Sequence, residues 1–438
     1  MTECNQASFS FLVKKNLTVD FQGGEISSDS GLLLLRQLDE NLGLTAGLAD
    51  CLKDRRHQSY TKQSVLDIIR QRVYQIMAGY EDANDADELR DDPVLKSIAG
   101  RLLTDEALAS QPTISRFENS VTVREIYKLS ASLLDFYIAS KRGNLVKVII
   151  DADATEDPVH GHQQLSFFHG FYENYIYHPL LIYDGETGEL ITAVLRPGNV
   201  HASRRIVAIL KRIVKRLKRA FGDIQITVRA DAGFAIPELY EFCEAEGLTY
   251  IIGFITNDRI LVLGQALIDS ARDEYYRSQI KQRQFGEFVY QADSWGRPRR
   301  LIIKAEHNEL GSNHRFVVTN MAGKPEGLYD FYALRGDCEN RIKELKNDLK
   351  GDRLSCHRFV ANQFRLLLHA AAYVLLTALK KYLQGTVLEK AQIGTIRCKL
   401  IKIGARIVQT CRRLRVHLAS SYPLKDLFFK LYHQLANP

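Results

Sequence analysis

No CxxC pair occurs among the seven cysteines of this sequence (Cys4, Cys51, Cys243, Cys338, Cys356, Cys398 and Cys411), and their number is odd. That excludes a disulfide framework and a zinc knuckle and fits a reducing, cytoplasmic setting. The opening Met-Thr-Glu-Cys-Asn-Gln has no basic region followed by an apolar run, so no secretory signal is expected. Long hydrophobic runs are scarce. The most apolar stretch, residues 364–379, is interrupted by Arg365 and His369. It falls short of the roughly 20 residues a membrane span needs, so a buried helix is expected and no membrane partner. No GxxxxGK[ST] loop is present, which argues against ATP hydrolysis. There is no internal repeat and no low-complexity tract.

What is present describes an ordinary globular chain. Its 438 residues are 45% hydrophobic, enough for two or three domains at roughly 150 residues each. Lys and Arg outnumber Asp and Glu by 59 to 52, a net charge of +7 with a pI near 8.9. That excess permits a polyanionic partner without establishing one.

Residues 1–140 read as a helical region suited to DNA binding or dimerisation. Val65, Ile68, Ile69, Val73, Ile76 and Met77 recur at helical spacing, as do Val123, Ile126, Tyr127, Leu134 and Tyr137. Between them, Pro112 opens a helix that carries small polar residues and Arg116, a pattern suited to a helix start facing phosphate. Residues 141–256 then alternate strands (146–150, 175–183, 190–195, 225–230 and 250–255) with helices (203–220 and 236–246). The expected class is α/β, a mixed sheet flanked by helices. Residues 257–325 read as a β-rich insertion with strand-like runs at 285–290, 301–304 and 316–319. Residues 326–385 return to helix, with one long helix resuming at about Tyr332. Residues 386–438 form a basic C-terminal region.

Three acidic positions stand out. Asp151 and Asp153 close an apolar strand, and strand alternation points both to one face. Asp231 closes another strand just before a glycine. Carboxylates at strand ends sit at the rim of a sheet, where open α/β folds place their sites; singly, each also reads as a turn-forming or capping residue. The third position is Glu339. Counting 100° per residue from Tyr332, Arg335 lies at about −60°, Glu339 at about −20° and Lys346 at about −40°. All four share a narrow helix face, which an i,i+4 pair between Arg335 and Glu339 alone does not explain.

Tyr332, Arg335, Glu339 and Lys346 have the spacing Tyr-x2-Arg-x3-Glu-x6-Lys, which resembles the signature of bacterial insertion-sequence transposases of the DDE superfamily. Asp153-Ala-Thr155 is similar to the Asp-x-Thr/Ser around that family's first catalytic Asp, and residues 229–234 to the segment around the second. A subgroup with Asp-x-Asp-x-Thr, Asp-Pro and His-Gly is matched by residues 151–155, Asp157-Pro158 and His160-Gly161. The resemblance covers nearly the whole chain, insertion included. It implies an RNase H-like core, with Asp153, Asp231 and Glu339 catalytic and holding two Mg²⁺ ions, for which Mn²⁺ substitutes. Such hard oxygen donors suit these ions in phosphoryl transfer. Asp151 stays open as an alternative first ligand, since only the Asp153-x-Thr155 match favours Asp153. Crowded carboxylates without metal should have raised pKa values.

The resemblance further implies that Tyr332, Arg335 and Lys346 hold DNA phosphates near the cut, Arg335 as a bidentate clamp. Cationic positions that a DNA substrate would recruit are Arg204 and Arg205, ahead of a helix rich in Lys and Arg, and Arg412 and Arg413 in the tail, beside Arg116. His160, His178 and His201 read as structural, with His201 a candidate to orient a carboxylate. Trp295 reads as core or as a stack for a flipped base. The implied activity is cut-and-paste transposition at terminal inverted repeats into target DNA by a homodimer. A nuclease without strand transfer and a domesticated DNA-binding protein are the competing readings.

Overall fold

A computed structural model describes residues 7–11, 15, 17–141, 143 and 145–436. The N-terminal hexapeptide, with Cys4, lies outside them. The chain divides into two compact units, one of residues 1–120, 348–350 and 371–438, the other of residues 121–347 and 351–370.

The first unit is mainly helical. Leu32–Leu42, Val65–Ala78 and Gln111–Ser120 are among its helices. Val65–Ala78 starts with a capping box in which Ser64 and Asp67 satisfy each other's backbone N–H groups. This unit also contains the chain's tail. Strand Ala405–Gln409 pairs with Leu414–Leu418 on one side and with Ile26–Ser27 on the other. A strand of two residues near the N-terminus thus completes the sheet of the basic tail.

The second unit is built on an eight-stranded sheet. Its strands are β1 (Lys147–Ala154), β2 (Leu180–Asp184), β3 (Leu190–Val194), β4 (Gln225–Ala230), β5 (Thr249–Phe254), β6 (Gln282–Tyr290), β7 (Arg299–Asn308) and β8 (Gly311–Thr319). Their spatial order is β6-β7-β8-β5-β4-β1-β2-β3. β1, β4 and β5 run parallel, β2 is antiparallel to β1, and β3, antiparallel to β2, runs with β1 again. This is the RNase H-like mixed sheet that the motifs implied.

The helices are α1 (Val123–Ser140), α2 (Ile206–Phe221), α3 (Pro237–Ala245), α4 (Asp258–Ser278), α5 (Pro325–Ala333), α6 (Gly336–Lys343) and the start of α7 (Phe359–Tyr382). Alternation along the strands sorts the two sheet faces. Val148, Ile150 and Ala152 of β1, with Ile226, Val228 and Ala230 of β4, enter a large core that also takes Leu134 and Tyr137 of α1 and Leu210, Ile213 and Leu217 of α2. α1 therefore belongs to the sheet unit, and the helical N-terminal region ends near residue 120 rather than 140. On the other face a smaller core joins Ile251, Ile302 and Val317 to Leu328 and Tyr329 of α5. Asp151, Asp153 and Arg229 occupy strand positions on this second face.

Residues 257–325 hold the three strands expected of a β-rich insertion, and also a helix that the strand-like runs did not announce. They begin with the 21-residue helix α4, capped by the Asn257 side chain on the N–H of Ile260. Exposed Val262 and Leu263 disguise its inward stripe of Ile260, Ile268 and Ala271. The three strands that follow then extend the main sheet from the edge of β5. Trp295 is core, 5% exposed and packed against Tyr240, Phe254 and Tyr290, so it is no stack for a base. Helix α7 is long and apolar enough to cross a membrane, but 83% of its most apolar window is buried inside the protein.

Candidate active site

Asp153 and Asp231 end the parallel strands β1 and β4, or lie just beyond them, on one rim of the sheet. Asp231 accepts a hydrogen bond from the N–H of Gly233 at 2.8 Å, which fixes the turn that starts there. Glu339 comes from a different layer. The expected single helix from Tyr332 is interrupted: α5 ends at Ala333 and α6 begins at Gly336. Across the junction, Arg335, Asp337 and Cys338 donate their N–H groups to residues three back, at Tyr332, Leu334 and Arg335. This overwinds the chain, and a π-helical segment at Glu344–Asp348 then underwinds it. The two departures from regular helix are opposite in sense. Arg335, Glu339 and Lys346 all still face the strand ends.

Asp153, Thr155, Asp231, Arg335, Glu339 and Lys346 line one cavity of about 320 Å³. Arg335 sits among the acids, with Nη1 2.9 Å from Asp153 Oδ2 and Nη2 3.4 Å from Glu339 Oε1. Lys346 Nζ donates to the carbonyl of Glu156 at 2.6 Å and approaches Thr155 Oγ1 at 3.4 Å. Tyr332 lies just behind. A Cβ on Gly253 would come within 2.5 Å of the Tyr332 hydroxyl and 2.9 Å of the N–H nitrogen of Ala232, so only glycine lets β5, the Asp231 turn and Tyr332 meet.

Burial pushes the Asp153 carboxyl up to about 7; Arg335 pulls against that, and Asp231 and Glu339 push the same way. The proton that stabilises this carboxyl is held more tightly in the folded chain than in the unfolded one, whose value is near 3.8. Folding stability from this group is therefore present at low pH and lost as pH rises through about 7. In chelator, thermal unfolding of the wild type relative to Asp153→Asn should show a deficit that grows from about pH 4 to about pH 7 and levels off above that. A pH-independent difference would show that the carboxyl is not strained by its surroundings.

Asp151 is not available as a ligand. It is fully buried, and its two oxygens take Arg229 Nε at 2.6 Å and Nη2 at 2.8 Å across the β1–β4 register. The third guanidinium nitrogen, Nη1, donates to the carbonyl of Phe331 at 2.7 Å, in the last turn of α5. Strand alternation places Asp151 and Arg229 on the same face as the site, one step deeper. Nothing in the spacing of either segment singles out Arg229; only the strand register reveals it.

The other cations are dispersed. Arg204 and Arg205 are exposed ahead of α2, and Arg205 borders an apolar groove between α1 and α2 rather than the carboxylate cavity. On α2, Arg212 lies over the Tyr127 ring, Arg216 pairs with Asp135 and Lys218 with Glu246. Arg116, Arg412 and Arg413 are exposed on the first unit. His178 is buried with Nδ1 2.9 Å from the Val200 carbonyl, and burial lowers its pKa to about 4. His201 Nδ1 meets Ser203 Oγ at 2.8 Å, not a carboxylate, and His160 is exposed.

The donor chemistry suits a hard divalent cation: three carboxylates share one cavity, and burial beside like charge leaves Asp153 poorly compensated. They are not drawn into a closed cage. Among the described residues, no group of three or more His, Cys, Asp and Glu side chains is close enough to surround an ion, and the positive charge between Asp153 and Glu339 is that of Arg335. An open site completed by water and phosphate is compatible with this arrangement.

No curated protein matches the chain. Among solved structures it is similar to a piggyBac transposase in a synaptic complex with hairpin DNA, at 12% identity and a TM-score of 0.43, over 94% of this chain and 85% of that one. The model of the family described as transposase DDE domain group 1 matches residues 9–438, nearly the full length in which the two strand-end aspartates and the helical glutamate are found, and the chain belongs to that family of DDE transposases.

Proposed function

We propose that the protein excises and reinserts its own mobile element, binding the terminal inverted repeats and carrying out cleavage and strand transfer with Mg²⁺. The observation that carries this reading is the convergence of Asp153, Asp231 and Glu339, from three distant parts of the chain, on one cavity with Arg335 and Lys346. Asp153, Asp231 and Glu339 would hold the divalent ions, which supply Lewis-acid stabilisation and a nucleophile at neutral pH. Arg335, released from Asp153 and Glu339, would turn its planar fork to a DNA phosphate. Lys346 would hold a neighbouring phosphate as a point charge, and Tyr332 would brace Arg335. Arg116, Arg204, Arg205, Arg412 and Arg413 would add contacts to the duplex backbone. Two element ends must be brought together, which calls for a homodimer, acting on DNA in the bacterial cytoplasm.

The test is a reaction of purified protein with a DNA fragment bearing both element ends, a supercoiled plasmid and Mg²⁺. Excised fragment and plasmid-joined product are expected, both abolished by chelator. Cleaved ends with no joined product over the full time course would replace this reading with that of a nuclease lacking strand transfer.

A further inference from the structure

Between β1 and β2 the chain makes a small antiparallel hairpin of strands Phe167–His169 and Asn174–Tyr177, with Phe168 opposite Tyr175. Its surface is unusual. Phe171 is 83% exposed, Tyr175 58% and Phe168 54%. Aromatic side chains of this size usually enter a core, and a cluster left in water marks a place that binds something.

The cluster is organised. Phe168 and Tyr175 meet edge to face at 5.8 Å, Phe171 stands on Tyr172 at 5.0 Å, and Tyr172 rests on His169 at 5.1 Å. His169 in turn packs on buried His178 at 5.1 Å. The root is fixed as well. Arg196 Nε donates to the His178 carbonyl at 2.8 Å, and a Cβ on Gly198 would fall 2.0 Å from the Ile176 carbonyl oxygen and 2.7 Å from that of Phe167. A rigid base therefore presents open ring faces. The row also points somewhere definite. Half-buried Tyr172 packs on His178 at 5.9 Å. The residue after His178, Pro179, accepts the N–H of cavity-lining Thr155 at 3.2 Å, and Phe171 follows Tyr172 outward into solvent.

We propose that this hairpin is a stacking platform for unpaired nucleobases of the DNA strand whose phosphate occupies the carboxylate cavity. The proposal rests on the DNA-cleaving function above. Open aromatic faces take any base, and such stacking is tolerant of sequence. A protein partner would call for a broader aliphatic surface, whereas the exposed side chains here are almost all rings. Placement beside the cavity means that a nucleotide next to the cut can leave its duplex and rest on Phe171 and the Phe168–Tyr175 pair.

The test compares wild type, Phe168→Ala/Phe171→Ala and Phe171→Trp on two forms of the element end. One is fully paired, and the other is mismatched at the nucleotides flanking the cut. The side chains are exposed, so folding should be unaffected. The double variant should cleave the paired end about tenfold more slowly and the mismatched end at nearly the wild-type rate, while Phe171→Trp behaves as wild type. Permanganate reactivity of a thymine flanking the cut should appear with wild type and disappear with the double variant. Equal loss on both substrates, wild-type cleavage of the paired end, or a change only in sedimentation would overturn the proposal, the last by making the patch a protein contact. If wild type cleaves neither substrate, the DNA-cleaving function itself fails, and the platform with it.

Discussion

Glu339→Gln should reduce DNA cleavage by about a thousandfold or more while leaving DNA binding within a few-fold of wild type. The magnitude follows from the role: charge stabilisation by a bound divalent ion is worth several kcal/mol in the transition state, and each 1.36 kcal/mol is roughly a factor of ten. The fold should not suffer. The Glu339 side chain is 56% exposed and meets Arg335 at 3.4 Å, an exposed pair worth little. Mg²⁺ or Mn²⁺ affinity, read by titration of the metal alone, should fall in the same variant. A Glu339→Gln protein that cleaves within tenfold of wild type would remove Glu339 from the chemistry and with it the three-carboxylate site.

Much of this site was legible in the linear chain. Two apolar strands ending in aspartate fix a sheet rim, and the spacing from Tyr332 to Lys346 gives a common direction. What could not be read is of a different kind. The junction after Ala333 looks helical residue by residue, and only the change in hydrogen-bond partners shows the overwinding. Asp151 and Asp153 are equivalent by alternation; what separates them is the neighbouring strand, whose register sets Arg229 against Asp151. The helix Asp258–Ser278 was hidden because apolar Val262 and Leu263 stand on its wet side. The tail was unplaced because its sheet is completed by residues 26–27, far away in sequence. Local periodicity reports which way a side chain points within its own element, and each of these misses depended on a second element.

Arg229→Met should lower stability by about 3–5 kcal/mol, read as a shift in denaturant midpoint, because it leaves the Asp151 charge buried without its partner. The pair is bidentate, fully shielded, and backed by Phe331, whose ring lies 5.1 Å from the guanidinium. Adding Asp151→Val should recover most of that loss, since a buried ion pair replaced on both sides by apolar groups of similar volume is often neutral. Cleavage should not recover with it. Arg229 Nη1 holds the Phe331 carbonyl, one residue before Tyr332 and four before Arg335, so it clamps the end of α5 to β4 two positions from Asp231. From the other side, Arg341 of α6 donates to the Asp184 carbonyl at 3.1 Å. Without the Arg229 clamp, the chain leading into the helix that carries Glu339 loses one of its ties to the sheet and keeps those of Arg335 to Asp153 and Arg341 to Asp184. A displacement of the order of 1 Å costs roughly a hundredfold in a reaction that depends on alignment. Arg229→Met/Asp151→Val should thus be stable and poorly active. A double variant that regains both stability and full cleavage would show that the buried pair serves folding alone and that α6 finds its place without it.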